Sequence, residues 1–250
     1  MITQEQINNL SKKWQIDQFS VLREYIQILF LSYFYENKLA ENIYFKGGTA
    51  LRLLFNSFRF SEDLDFTAPV SQEDLEKMLE KTIDKLKAEI KEISVNPLEK
   101  KGQGLSSKLK YKPAYLSIPL TVKLDFSQRE ESLDSQTSVI KTLFPVLVYP
   151  VINHYSLKEI MAEKIRAIIT RTQGRDLFDL WFLLSKEIEI DWQMVDKKME
   201  YYNGKTNKQE VVKKITKWNQ DELKQDLNKF LPRPQRIIID KLKDEILKMM

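Results

Sequence analysis

The sequence predicts an α/β first half followed by an all-helical second half. Three patterns lead there. The stretch "NIYFKGGTALRLLFNSFRFSEDLDF" reads as strand, glycine turn, helix and strand. An amphipathic helix over 71–90 then precedes three strand-like segments. From Ser156 to the end the apolar spacing is helical throughout.

Taken in order, residues 4–39 are predicted helical, with Val21, Leu22, Tyr25, Ile28, Leu29 and Ser32/Tyr33 in helical rhythm. "NIYF" (42–45) is a short strand running into Lys46-Gly47-Gly48, and "TALRLLFNSF" is a helix opening after the glycines. "SEDLDF" alternates polar and apolar, which predicts a strand. Ser71 and Asp74 form a capping signal for the next helix, whose stripe is Leu75, Leu79, Ile83, Leu86 and Ile90. Strands are predicted at 105–112, 115–126 and 145–149, the last ended by Pro150. Helices are predicted at 156–171, 176–186, 207–217, 220–229 and 234–248. The division falls near 150–156, giving 1–155 as the α/β domain with its N-terminal helices and 156–250 as a helical domain.

Composition narrows the chemistry. The chain has 250 residues, with 42% hydrophobic and 30% charged residues, the balance of a soluble globular protein. Its apolar runs are too short to span a bilayer. The N-terminus lacks a signal-peptide layout, and a cytoplasmic location is the default expectation. With no cysteine and one histidine, disulfides and thiolate metal sites are excluded, and zinc sites and Ser-His-Asp triads are disfavoured. Metal chemistry would rest on carboxylates, which points to magnesium or manganese. The net charge of +4 permits a nucleic-acid partner without demanding one.

The candidate carboxylates follow from strand alternation. In Glu62-Asp63-Leu64-Asp65-Phe66, Leu64 and Phe66 seek the core, so Asp63 and Asp65 share the opposite face. Val122-Lys123-Leu124-Asp125-Phe126 repeats the pattern, putting Lys123 and Asp125 on one face. If these strands are neighbours, three aspartates converge and call for a divalent cation; otherwise they are solvent-facing aspartates at strand ends. Gly47-Gly48 either makes a plain turn or brings backbone and helix amides to a phosphate, with Thr49 adding a hydroxyl. Lys46 meets a phosphate or is solvated. Arg59 orients the acidic strand or a ligand hydroxyl, or pairs with a surface carboxylate. Lys123 touches substrate or neutralises Asp125. His154, in an apparent connection, is expected to be structural.

In the helical half, Leu157, Ile160, Met161, Ile165 and Ile168 make the apolar stripe, with Glu159, Glu163, Arg166 and Thr170 opposite. Lys164 falls inside the stripe, where it must snorkel out or find an anion. "DLFDLWFLL" is apolar nearly all round. Asp176 is a cap or a site residue. Asp179 lies deeper and needs a partner, for which Lys164 and Arg175 are available. Tyr201, Tyr202, Lys205, Lys208, Lys213, Lys214, Lys217 and Trp218 mix basic and aromatic residues, as RNA surfaces do.

Lys46-Gly47-Gly48-Thr49-Ala50-Leu51 followed by Arg59-x-Ser61-x-Asp63-x-Asp65 resembles the first motif of the AbiEii/AbiGii-type nucleotidyltransferase toxins, of the DNA polymerase β-like superfamily. Lys123-x-Asp125 resembles the strand carrying the third carboxylate. "EIMAEKIRAIITR" and "GRDLFDLWFLL" are similar to the two downstream motifs. The resemblance covers about residues 40–186. It implies a mixed sheet flanked by helices, with the helical half closing over a nucleoside triphosphate. It implies metal held by Asp63, Asp65 and Asp125, phosphates cradled by Gly47, Gly48 and Thr49, and Lys164 facing the nucleotide. An acidic residue of the last motif, Asp176 or Asp179, would stand near the site. By the same resemblance the acceptor is a tRNA 3′ end or another RNA, and a separately encoded antitoxin restrains the toxin. Two other functions fit the same chemistry. One is a small-molecule nucleotidyltransferase of the antibiotic-modifying kind, with an acidic pocket for its substrate. The other is a nucleotide-binding module without catalysis.

Overall fold

In the computed structural model, which describes residues 1–113 and 116–250, the predicted helical stretch 4–39 is broken into three. Thr3 caps α1 (Gln4–Trp14) through a reciprocal capping box with Gln6, and Gln15 ends it in the left-handed conformation. Asp17 then caps α2 (Gln18–Phe34), and a 3-10 turn covers Lys38–Asn42. α2 is buried almost all round. Its polar Glu24 and Gln27 are satisfied by Arg52 at 2.7 Å and by the Ser61 carbonyl at 3.1 Å.

The chain continues through β1 (Tyr44–Lys46), α3 (Gly47–Phe55), β2 (Asp63–Thr67), α4 (Gln72–Glu89), β3 (Ile93–Val95), β4 (Glu99–Lys100), β5 (Gly104–Tyr111), β6 (Leu120–Ser127), β7 (Ser135–Val139) and β8 (Val151–Tyr155). The strands form one mixed sheet in the order β3-β5-β6-β2-β1-β8-β7, with β4 paired to β5. β2 runs parallel to β6 and antiparallel to β1, and β1 runs parallel to β8. One face of the central strands is covered by α2: Phe66 stacks on Phe126 at 5.0 Å, and Phe34 lies 5.5 and 6.0 Å from them.

α5 (Leu157–Thr170), α6 (Gly174–Ser185), α7 (Trp192–Glu200), α8 (Lys208–Thr216), α9 (Gln220–Asn228) and α10 (Leu242–Met249) follow, with a 3-10 segment over Arg233–Asp240. The buried apolar cluster runs through both halves, from Ile2 to Ile246. No helix among the described residues is long and apolar enough to cross a membrane.

Several expectations need correction. Residues 145–149 form no strand. Pro145 and Pro150 remove ladder donors on either side of the run, and Leu147 is 81% exposed. The pairing there belongs to β8, just past Pro150, and to β7, whose exposed "SQTSV" has no apolar alternation to betray it. His154 therefore lies in a strand rather than a connection. The strand predicted over 115–126 starts at Leu120, and Tyr115 lies outside the described residues. β3 and β4 were not expected, and α7 had no predicted span of its own within the helical half. α7 shows only Val195 and Met199 buried on its apolar side. Replacing Phe66 by Ala removes the ring between Phe34, Phe45 and Phe126 and should cost about 3–5 kcal/mol of stability, read from denaturant midpoints.

Candidate active site

Strand register places the acidic side chains. Leu64 pairs with Leu124, Asp65 with Asp125 and Phe66 with Phe126 across the parallel β2 and β6. Leu64, Phe66, Leu124 and Phe126 are buried on the α2 side, so Asp63, Asp65 and Asp125 share the other face. Asp65 and Asp125 line a cleft between this face and α5, with Lys46, Gly47, Ser127, Glu163, Lys164, Arg166, Arg171 and Tyr202 around it. Asp63 does not line this cavity.

The three aspartates differ in their company. Neither Asp63 nor Asp65 has a side-chain hydrogen bond or ion pair among the described residues. Burial raises Asp65 to about 6, helped by the charges of Asp63 and Asp125. Burial also raises Asp63, against the pull of Arg175 and Lys123. Asp125 instead binds Lys123, and Lys101 at 3.4 Å. Lys123 thus takes the neutralising role open to it. As placed, no three Asp, Glu or His side chains among the described residues are gathered closely enough to hold a metal. The oxygen donors fit a hard cation, with two carboxylates unpartnered and their ionised forms disfavoured first by burial and then by neighbouring acids. The third ligand expected from the sequence is turned onto lysines.

Gly47 and Gly48 lie inside the first turn of α3, not before it, and their absent side chains make room for site residues. Gly47 has φ +77°, and a Cβ there would run into the Asp65 carboxylate; a Cβ on Gly48 would run into the Arg59 guanidinium. The Thr49 hydroxyl donates to the Asp63 carbonyl, anchoring β2. Lys46 is neither solvated nor free for phosphate. It is buried, with Glu130 at 2.6 Å and Glu163 at 2.8 Å, whose charges outweigh burial and raise its pKa.

A buried charge chain joins the loop before β2 to the helical half. Arg59 donates to both Asp179 oxygens at 2.8 Å, and Lys164 reaches Asp179 at 2.7 Å and Asp176 at 3.0 Å. Arg171 donates to Asp176 at 2.7 and 3.0 Å. Lys164 therefore finds carboxylates rather than snorkelling, and Arg59, not Arg175, is the second partner of Asp179. Burial opposes the ionised form of both aspartates. Arg59 and Lys164 hold Asp179 below its usual range, as Lys164 and Arg171 hold Asp176. Asp176 is no cap: the Gly174 amide donates to Asp226 from α9, at 2.7 Å.

A second cluster escaped the sequence. Lys198, fully buried, lies 2.6 Å from Glu159 and 3.3 Å from Glu130. Glu159 also accepts the Leu133 and Asp134 amides. Glu159 and Glu163, placed opposite the apolar stripe, are buried rather than solvated. Burial works to raise Glu163, but Lys46 and Lys198 hold it at about 2. His154 is structural, bonded to the Tyr155 carbonyl at 2.8 Å and Ser138 at 2.9 Å. The basic-aromatic set does not form one surface: Tyr202 lines the cleft and Trp218 is buried.

The family described as "Nucleotidyl transferase AbiEii toxin, Type IV TA system" matches residues 29–246. The chain belongs to this AbiEii family. It is a nucleotidyltransferase toxin of a type IV toxin-antitoxin system. The fold of the chain is also seen in solved structures. MenT4, a nucleotidyltransferase toxin from Mycobacterium tuberculosis H37Rv, is similar with a TM-score of 0.74 at 18% identity, covering 100% of this chain and 88% of MenT4. JHP933 from Helicobacter pylori is similar with a TM-score of 0.58 at 19% identity, covering 94% of this chain and 93% of JHP933. No curated protein matches the chain by sequence.

Two outcomes follow for this AbiEii chain. Asp65 is raised from 3.8 to about 6, so the folded state keeps a proton that the unfolded chain releases. Its burial subtracts stability increasingly from pH 4 to 6, and fully above. Asp65→Asn should therefore be more stable than wild type at pH 7.5 without divalent ions, by about 1–3 kcal/mol, and the gain should vanish near pH 4. Denaturant titrations at both pH values check this. Asp179→Asn leaves Arg59 and Lys164 short of a buried anion and should cost about 3–5 kcal/mol, read from the same titrations.

Proposed function

We propose that this chain transfers a nucleotide from a nucleoside triphosphate to an RNA hydroxyl, at a tRNA 3′ end. The observation that carries this is the pair of unpartnered aspartates, Asp63 and Asp65, beside the in-register Asp125. Asp63 and Asp65 would hold Mg²⁺ or Mn²⁺, and Asp125 would join them on leaving Lys123. When bound, such ions supply charge neutralisation at phosphoryl oxygens.

The residues of the chain arrange the rest. An acceptor hydroxyl oxygen bonds to the α-phosphorus. The bond from the α-phosphorus to its bridging oxygen breaks, and pyrophosphate leaves. The hydroxyl proton passes to Asp125, which stands at the cleft and exchanges its lysine contact for it. Lys164 offsets triphosphate charge only in part, since its ammonium is shared between Asp176 and Asp179. Arg59 and Thr49 act by position: one ties the loop before β2 to α6, the other fixes β2. The helical half, residues 156–250, would cover the nucleotide at the distance that the Arg59–Asp179–Lys164 contact sets. A separately encoded antitoxin would restrain the enzyme in the cytoplasm.

The test is incubation with each labelled triphosphate, Mg²⁺ and total tRNA, beside Asp65→Ala. Label should reach tRNA with the wild type and fall at least 100-fold with the variant. Label on no RNA with any triphosphate would refute RNA transfer, and label on a small cationic acceptor instead would favour antibiotic-type chemistry.

A further inference from the structure

The cations around the cleft divide into two groups. Lys46, Lys164 and Arg171 line it, but each is already held by buried or half-buried carboxylates at 2.6–3.0 Å. Arg166 also lines it and has no ion pair among the described residues. Its Nε is buried without a hydrogen-bond partner. Its guanidinium carbon lies 4.2 Å from the centroid of the Tyr202 ring.

Arg129 approaches the same ring from the adjoining cavity, at 4.3 Å. Arg129 too has no ion pair among the described residues, only a bond to the Gln103 side chain at 2.9 Å. Asp125, Ser127 and Tyr202 line both cavities. Two like charges are thus gathered on one aromatic ring, beside the carboxylate strand, with no carboxylate in ion-pair contact with either among the described residues. The ring quadrupole offsets some of their repulsion. An anion would offset it further, and guanidinium forks match phosphoryl oxygens.

We propose that Arg166 and Arg129, held on Tyr202, form the phosphate-binding pair of this cleft and take the triphosphate of the nucleotide. This rests on the nucleotidyl transfer proposed above. It moves phosphate recognition from Lys46 and the glycine turn, which the fold uses internally, to two arginines to which the sequence assigned no role. Tyr202 acts as a positioning residue.

Calorimetric titration tests it, with ATP, GTP, CTP and UTP each added with Mg²⁺ to wild type, R166Q, R129Q, the double variant and Tyr202→Leu. Neither arginine closes an ion pair, so thermal melts should stay near wild type. Arg166 also helps keep Glu163 ionised, which makes R129Q the cleaner single variant. R166Q and R129Q should each weaken triphosphate binding about tenfold or more. Tyr202→Leu should weaken it several-fold, and the preference for triphosphate over the matching monophosphate should shrink in all variants. Unchanged triphosphate binding in the double variant, with wild type binding normally, overturns the assignment and leaves nucleotidyl transfer intact. Wild type that binds none of the four overturns both. Parallel titrations with tRNA alone separate the phosphate sources: loss of tRNA binding with unchanged triphosphate binding assigns the pair to the acceptor and overturns the proposal.

Discussion

Asp179 is fully buried and takes Arg59 from one half of the chain and Lys164 from the other. Burying an ionised carboxylate is tolerable only when its partners are equally fixed. The contact therefore ties the loop before β2 to α5 and α6, and so fixes how far the helical half stands from the acidic face. Gly48 follows from it, since the Arg59 guanidinium fills the place a Cβ would take. The partly apolar surroundings of Lys164 follow too, because an ammonium in that stripe is stable only beside Asp176 and Asp179.

The second buried cluster works alongside the first. Lys46 leaves the end of β1, Glu159 and Glu163 come from α5, and Lys198 comes from α7. One helix, α5, thus feeds both clusters, with Lys164 turned to one and Glu159 and Glu163 to the other. Between them lies the cleft. Nearly every charge that lines it is paired within the protein. Asp65 and Arg166 are the contrast, a carboxylate and a guanidinium left without ion partners on facing walls. Such a wall of opposed, uncompensated charge suits a substrate that brings both cations and phosphates.

Alternation along β2 and β6 was readable because period-2 burial depends only on neighbours in sequence. Leu64, Phe66, Leu124 and Phe126 go inward as expected, and α5, α6, α8 and α9 lie close to their predicted spans, whereas the helix predicted over 234–248 is a 3-10 segment up to Asp240 and an α-helix only from Leu242. The misses have equally local causes. β7 is polar on both faces, the 145–149 run is apolar but bounded by prolines, and α7 carries a short stripe. Glu159 and Glu163 were placed only as lying opposite the apolar stripe, because a helical wheel shows the face a residue occupies, not what packs against that face.

The sequence by itself determined the resemblance to the family and two local faces, that of Asp63 with Asp65 and that of Lys123 with Asp125, since alternation rests on spacing within a few residues. The fold decided that β2 and β6 are neighbours, which brings Asp125 beside the other two. Only the tertiary structure decided the partnerships: Arg59 with Asp179, 120 residues apart, Lys46 with Glu163, 117 apart, and Asp125 with lysines in place of a third metal-ligand position. Ion pairs between residues far apart in sequence carry no periodicity. Any lysine can meet any carboxylate, and burial alone selects which of them must.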